Sequence, residues 1–163
     1  KWSGVAMPSH GRYVGAATQP WSEHKKRKGE RLGSHWRIPP VSEKRNTRHL
    51  LFDSNWWKSF VHERFGVPLG DPGCLSLFDG DMEAHRMFAD HLTAEQRVAV
   101  SAKGRTVDEW KLRRPGLDNH WLDCMVGCAV AASMAGCSLE SMREAPAERK
   151  PRVRLSEMQG RGR

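Results

Sequence analysis

The amino-acid sequence predicts an α/β fold with a mixed β-sheet, because segments with strand patterns alternate with segments with helix patterns. A continuous apolar run at residues 48–53 predicts a buried strand, and residues 55–65 follow it with apolar positions at helical spacing. Residues 82–92 have a second helical pattern. Residues 95–101 and 105–112 alternate around a short turn, which predicts a β-hairpin.

The first forty residues are predicted to form short strands, turns and one long loop. An apolar run at residues 3–8 ends in a proline and is typical of a strand, whereas the glycines of residues 9–16 indicate turns or a close approach of the backbone. Residues 17–34 are polar and basic and are predicted to be a loop. The alternating segment at residues 34–40 stops at two prolines, which indicates a strand at a sheet edge.

Capping residues and apolar spacing position the remaining elements. Ser54 is the predicted cap of the helix at residues 55–65. Residues 74–78 form a short apolar run that predicts another strand. The last helix is rich in alanine and small residues, and Asp118 or Asn119 is its predicted cap.

Positive charge is concentrated near the N-terminus. The chain has 27 Lys and Arg against 19 Asp and Glu, and the formal excess of +8 falls within residues 1–49, most densely in HKKRKGER at 24–31. Such a run is most often a solvated loop, but beside a globular domain it is also the usual electrostatic footprint for phosphate backbones. The candidate DNA-binding residues are Lys25, Lys26, Arg27, Lys28, His10, Arg12 and Lys58.

Several classes of protein are not supported by the motifs. The sequence has no GxxxxGK[ST] or GxGxxG phosphate loop and no GxSxG elbow, and it has no apolar run long enough to cross a membrane. The four cysteines form no CxxC pair and are expected to be reduced, mostly buried thiols. His120, Cys124 and Cys128 share a helical stripe, but it is too long for all three to bind one zinc ion.

Two aspartates are candidate metal ligands. Asp123 lies among small residues of the last helix, where we expect close packing, and an unpaired buried carboxylate there would be costly. Three explanations are open: the dipole and cap at the helix N-terminus, a basic partner, and ligation of Mg²⁺ or Mn²⁺. Asn119 lies one turn earlier on the same face. Asp53 ends an apolar strand, where it would either bind a ligand or cap the next helix.

Four segments follow one another in a specific order: LLFDSNWWKSFVHERF, which contains Lys58, HRMFADHLTAEQRV, RTVDEWKL, and DNHWLDCMVGCAVAASMAG, which contains Asn119 and Asp123. PSHGRYVGA at residues 8–16 precedes them. In this order and spacing the segments resemble the C-terminal nuclease domain of phage terminase large subunits of the GpA type. The resemblance covers nearly all of residues 1–140.

The resemblance implies a ribonuclease H-like fold that cuts concatemeric DNA during genome packaging, with acidic residues and Mg²⁺ or Mn²⁺. Asp123 matches the last metal-binding acid of the family and is therefore the expected catalytic residue, with Asp53 as a substitute ligand. The implied partners are double-stranded DNA, the terminase small subunit and the portal, in an oligomeric motor of the host cytoplasm without a membrane.

The family's other catalytic aspartates and its packaging ATPase would precede residue 1, so we expect a domain truncated at its N-terminus, followed by a disordered tail at residues 141–163. Two alternatives to an endonuclease remain open. One is a non-catalytic nucleic-acid-binding module that uses the basic loop, and the other is an inactive prophage remnant.

Overall fold

A computed structural model describes residues 6–41 and 47–137 and confirms the mixed α/β class. Within these residues the strands are β1 (Ser9–Arg12), β2 (Arg31–Gly33), β3 (Trp36–Ile38), β4 (Leu50–Asp53), β5 (Glu95–Ala102) and β6 (Arg105–Leu112). The helices are α1 (Ser54–Phe65), α2 (Met82–Thr93) and α3 (His120–Met134), with a single 3₁₀ turn at Trp21–Glu23. None of the helices in these ranges is both long and apolar enough to span a bilayer.

The strands form a four-stranded mixed sheet and a separate hairpin. The order of the sheet is β1-β4-β3-β2, with β1 parallel to β4 and the other pairs antiparallel. All four residues of β4 are buried, which confirms the strand predicted at residues 48–53. The predicted hairpin is also confirmed, as β5 and β6 pair from Glu95 and Leu112 to Ala102 and Arg105. Its turn residues Lys103 and Gly104 both have positive φ, as a tight hairpin turn requires.

The strand predicted at residues 3–8 is displaced along the chain, and the strand predicted at residues 34–40 is present as β3 but is not at a sheet edge. The strand expected at residues 3–8 is β1, which begins one residue beyond Pro8; residues 3–5 lie outside the described ranges. The carbonyl of Pro8 accepts from the backbone N–H of Leu50 at 2.8 Å, so pairing with β4 starts at this proline. β3 is an inner strand and not an edge, because β2 forms inside the predicted loop and pairs with it.

The short apolar run at residues 74–78 does not form a strand. The backbone N–H of Leu75 donates to the carbonyl of Arg64 at 3.0 Å, so this segment is attached to the end of α1, and none of the described strands pairs with it. The predicted disordered tail at residues 141–163 lies outside the described part of the chain.

The core forms where α1 packs between the sheet and α3. The sheet contributes Trp36, Ile38, Leu50 and Phe52; α1 contributes Trp57, Phe60 and Val61; α2 contributes Leu92; and α3 contributes Leu122, Val126 and Val130. The α3 residues recur every four positions, so this helix buries one narrow stripe. Because α1 is covered on both sides, polar residues on its inner faces are also buried.

The face of α3 that carries Asp123 is exposed, contrary to expectation. Asp123, Cys124 and Cys128 all lie on the solvent side of the helix, because each is rotated away from the buried stripe. Cys137 is exposed as well, so the prediction of mostly buried thiols was also wrong. The small residues of α3 allow close packing, but they do not determine which face packs.

Candidate active site

Three charged side chains from three different elements meet beside α3. The Nζ atom of Lys58, on α1, is 2.5 Å from Oε1 of Glu95 and 3.1 Å from Oδ1 of Asp123. Glu95 is the first residue of β5, and its Oε1 atom also accepts a hydrogen bond from Nδ2 of Asn119. The side chains of Lys58 and Glu95 are 11% and 5% exposed, whereas that of Asp123 is 54% exposed. The carboxylate cluster, Lys58–Glu95–Asp123, therefore has a buried part, formed by Lys58 and Glu95, and a solvent-exposed part, formed by Asp123.

The carboxylate cluster carries an excess of negative charge. One ammonium group pairs with two carboxylates, so the formal charge of the three side chains is negative by one. Lys58 and Asn119 both donate to the same oxygen of Glu95, Oε1, and the other oxygen, Oε2, is buried and accepts from no residue in the described ranges. A buried carboxylate oxygen without a protein donor is uncommon, and a cation or a water molecule is the usual partner of such an atom.

The oxygen donors of the carboxylate cluster suit a hard divalent cation. Mg²⁺ is usually bound by one or two carboxylates together with water and substrate phosphates. Asp123 and Glu95 supply two carboxylates, and both pair with Lys58. No described residue donates to Oε2 of Glu95, so a cation that bound this oxygen would displace no protein donor. Among the residues that the structure describes, no group of three His, Cys, Asp or Glu side chains could hold a metal ion. A cation here would therefore depend on water and phosphate for its remaining ligands.

Asp53, the second candidate ligand, caps α1. Its Oδ1 atom accepts from the backbone N–H groups of Asn55 and Trp56 at 3.1 and 3.2 Å. Its Oδ2 atom lies 3.6 Å from Nδ1 of His35, at the wall of a cavity of about 370 Å³. The Ser54 hydroxyl, predicted as the cap, instead donates to the carbonyl of Arg12 at 3.1 Å. No hydrogen bond or ion pair among the described residues joins Asp53 to the carboxylate cluster.

Asn119 occupies the predicted capping position of α3, but its side chain does not cap the helix. The amide donates instead to Glu95, across the gap between α3 and β5. The expected partnership of Asn119 with Asp123 is therefore indirect: both side chains contact the Lys58–Glu95 pair.

The candidate DNA-binding residues differ in accessibility. Lys25, Lys26, Arg27 and Lys28 are exposed, as are His10 and Arg12. Lys58 is not, because its ammonium is buried and paired with two carboxylates. A contact between Lys58 and DNA phosphate would break both ion pairs, so its place is in the carboxylate cluster.

The basic loop at residues 24–31 is anchored by the buried side chain of Glu30. This carboxylate accepts from Nε2 of His24 and the backbone N–H of Arg27, both at 2.9 Å, and from Nη1 of Arg37 at 3.1 Å. Burial alone raises the pKa of Glu30, but the hydrogen bonds from His24, Arg27 and Arg37 outweigh it and lower the pKa. The loop thus presents its lysines from a fixed base.

Two ionisable groups hold the hairpin against the rest of the domain. Glu109 on β6 accepts from the backbone N–H of Ala16 at 3.2 Å, and burial together with a hydrogen bond to Glu109 raises the pKa of Tyr13 to about 12. On α1, the ring of His62 stacks on the ring of Trp110 with their centroids 4.3 Å apart, and burial lowers the pKa of His62. These contacts hold β6 in place, and β6 pairs with β5, the strand that begins at Glu95.

Sequence reasoning did not assign a role to Glu95 or Glu30. Glu95 stood inside a segment that carried the family resemblance, and that was its only signal. Glu30 was counted only as an acidic residue within a basic run. Both roles depend on contacts between distant elements, which local patterns do not contain.

Comparison with known families identifies the domain. A family model described as the terminase large subunit gpA endonuclease domain matches residues 4–144. The chain belongs to this family. The match includes Lys58, Glu95 and Asp123, and it confirms the resemblance found from the four sequence segments. No curated protein and no solved structure matched this terminase domain.

Proposed function

We propose that this gpA endonuclease domain hydrolyses phosphodiester bonds of double-stranded DNA at the carboxylate cluster, with Mg²⁺ or Mn²⁺ bound by Asp123 and Glu95. The observation that supports this proposal best is the solvent-exposed carboxylate of Asp123, held by Lys58 beside a second carboxylate with an unpartnered oxygen. The family of the domain supports nuclease activity in general.

The side chains of the cluster have separate roles in this proposal. A divalent cation, when bound, makes a water molecule nucleophilic and stabilises the leaving oxygen of the phosphodiester. The carboxylate of Asp123 is 54% exposed, so solvent can reach it while its Oδ1 atom pairs with Lys58. Lys58 fixes both carboxylates, and Asn119 holds Glu95 in place. The buried Lys58–Glu95 pair therefore orients the exposed ligand.

The basic loop would supply affinity for the DNA backbone. Residues 25–28 are four consecutive exposed cations, and they follow His24, whose ring is hydrogen-bonded to the buried carboxylate of Glu30. Each phosphate contact made by such cations releases counterions and makes binding depend on salt. We further propose that the DNA is the concatemer produced in the host cytoplasm, and that the small subunit and portal are partners, as the terminase family implies.

A non-catalytic nucleic-acid-binding module is the second candidate. It is favoured by Lys58, whose ammonium already lies between the two carboxylates, and by the lack of a three-ligand group among the described side chains. In this case DNA binding through the basic loop would be salt-dependent and would not require Asp123.

Nicking of supercoiled plasmid in Mg²⁺ or Mn²⁺ separates the two candidates. We expect Asp123→Asn to abolish nicking, whereas Asp118→Asn, at an exposed aspartate just before the same helix, should retain it. Equal nicking by both variants would remove Asp123 from the mechanism. DNA binding without nicking by the unaltered chain would favour the non-catalytic module.

A further inference from the structure

A second polar cavity lies apart from the carboxylate cluster, between β1, β3 and the 3₁₀ turn. It has a volume of about 210 Å³, and its wall includes two arginines, one histidine and two aromatic side chains. These residues are Arg12, Tyr13, Trp21, His24 and Arg37. Among the described residues no acidic side chain lines the wall, so the cavity is suited to an anion.

Arg37 is held in place before any ligand binds. Its Nη1 atom donates to Oε1 of Glu30 at 3.1 Å, and its guanidinium lies over the ring of Trp21 at 5.7 Å. Nη1 also contacts the ring of His24, and all hydrogen bonds of Arg37 in the described chain are made through this one atom. The remaining N–H groups are free to bind a ligand, and a side chain already fixed loses little entropy when it binds.

Arg12 contributes the uncompensated charge. It is exposed and forms no ion pair with any residue in the described ranges. Arg12 and Arg37 carry two positive charges and Glu30 carries one negative charge. Glu109, which is hydrogen-bonded to Tyr13, is neutralised by Lys111 at 3.1 Å, so the surroundings of the cavity keep a formal charge of +1. The exposed cations of residues 25–28 add to the same potential.

We propose that this cavity, the phosphate pocket, binds one backbone phosphate of the nucleic acid, with Arg12 and Arg37 as donors and Tyr13 and Trp21 beside the adjoining sugar. Guanidinium groups match the geometry of phosphate oxygens and are favoured for this purpose. The proposal rests on the proposed function only for the identity of the nucleic acid as DNA.

The phosphate pocket is linked to the carboxylate cluster through α1. The carbonyl of Arg12 accepts from the hydroxyl of Ser54, which is the first residue of α1. Lys58 follows four residues later, about 6 Å further along the helix axis. This hydrogen bond attaches the backbone of β1, at the wall of the phosphate pocket, to the helix that carries Lys58.

DNA binding measured by fluorescence anisotropy, on a labelled duplex without a catalytic metal and across a range of salt, tests the pocket. We expect Arg12→Gln to weaken binding by about tenfold and to reduce the slope of log K against log salt by about 0.9. Arg86→Gln removes the same charge from an exposed position on α2 and should change neither quantity. An unchanged affinity and slope for Arg12→Gln would overturn the proposal.

Arg37→Lys provides a second variant, because it keeps the charge beside Glu30 but loses the planar donors. We expect it to weaken DNA binding while circular dichroism stays unchanged; binding equal to that of the unaltered chain would count against the role of Arg37. Titration with inorganic phosphate separates two sources of the anion. If Arg12→Gln weakens binding of free phosphate but leaves DNA affinity intact, the cavity is a simple anion site and the proposal fails.

These outcomes are independent of nuclease activity. The anisotropy measurement contains no catalytic metal, so it reports DNA binding whether or not the chain nicks DNA. Loss of binding in Arg12→Gln without any nicking by the unaltered chain would retain the pocket and reject the nuclease. Normal nicking with no effect of Arg12→Gln on binding would do the opposite.

Discussion

Replacing Lys58 by methionine should destabilise the domain strongly, because it leaves a buried carboxylate without its ammonium partner. Glu95 is 5% exposed, its Oε2 atom already has no donor, and only Asn119 would remain to hydrogen-bond Oε1. Breaking a buried ion pair from one side costs about 3–5 kcal/mol. Asp123 is 54% exposed, so its pairing with Lys58 should contribute less than about 1 kcal/mol. The same lysine is therefore expected to have one strong and one weak partner.

A double-mutant cycle measured by urea unfolding tests this asymmetry. For Lys58→Met with Glu95→Leu we expect a coupling energy of about 2–3 kcal/mol, and for Lys58→Met with Asp123→Asn less than about 1 kcal/mol. The double variant of Lys58 and Glu95 should regain much of the stability lost by the single lysine variant, because no buried charge remains. Equal coupling energies, or a cost of less than about 1 kcal/mol for Lys58→Met alone, would refute the reasoning.

Three further outcomes follow from the contacts around the site. Tyr13 is the single tyrosine of the chain, so its ultraviolet titration should have a midpoint near 12 that Glu109→Gln moves towards 10; a midpoint of 10 in the folded, unaltered chain would contradict the contact. Burial lowers the pKa of His62 below 6.5, so the unfolded state binds the proton more readily, and stability should fall as pH drops through about 6.5. His62→Phe should reduce this loss in urea unfolding at several pH values; an identical pH profile would exclude His62 as the cause. Asp53→Ala should cost about 1 kcal/mol as a lost helix cap, whereas Asp53→Asn should preserve both stability and nicking; abolished nicking in Asp53→Asn would indicate a metal ligand instead.

The elements that the sequence predicted correctly are those defined by local patterns. β4 is a continuous apolar run, α1 has helical spacing over three turns, and the hairpin alternates around a tight turn. The elements that were misplaced depend on distant partners. β2 is a strand only because β3 pairs with it through a turn at His35, whose φ of 51° is unusual for a residue with a side chain. Nothing in the basic composition of that segment indicates this pairing.

The site was only partly accessible from sequence for the same reason. The family resemblance indicates Asp123 and the helix that carries Lys58, but the contacts of Lys58 with Glu95 and Asp123 join residues 37 and 65 positions apart. Asp123 was expected to be buried because its neighbours are small. The buried stripe of α3 runs through Leu122, Val126 and Val130. Asp123 follows Leu122 directly and is therefore rotated by about 100° from this stripe, towards solvent.

Mn²⁺ binding to the full chain, followed by isothermal titration calorimetry, tests most directly whether the carboxylate cluster holds a divalent cation. We expect the unaltered chain to bind Mn²⁺, Asp123→Asn and Glu95→Gln each to lose most of that affinity, and Asp118→Asn to keep it. Equal Mn²⁺ affinity in the unaltered chain and in Asp123→Asn, with both proteins folded, would contradict the account.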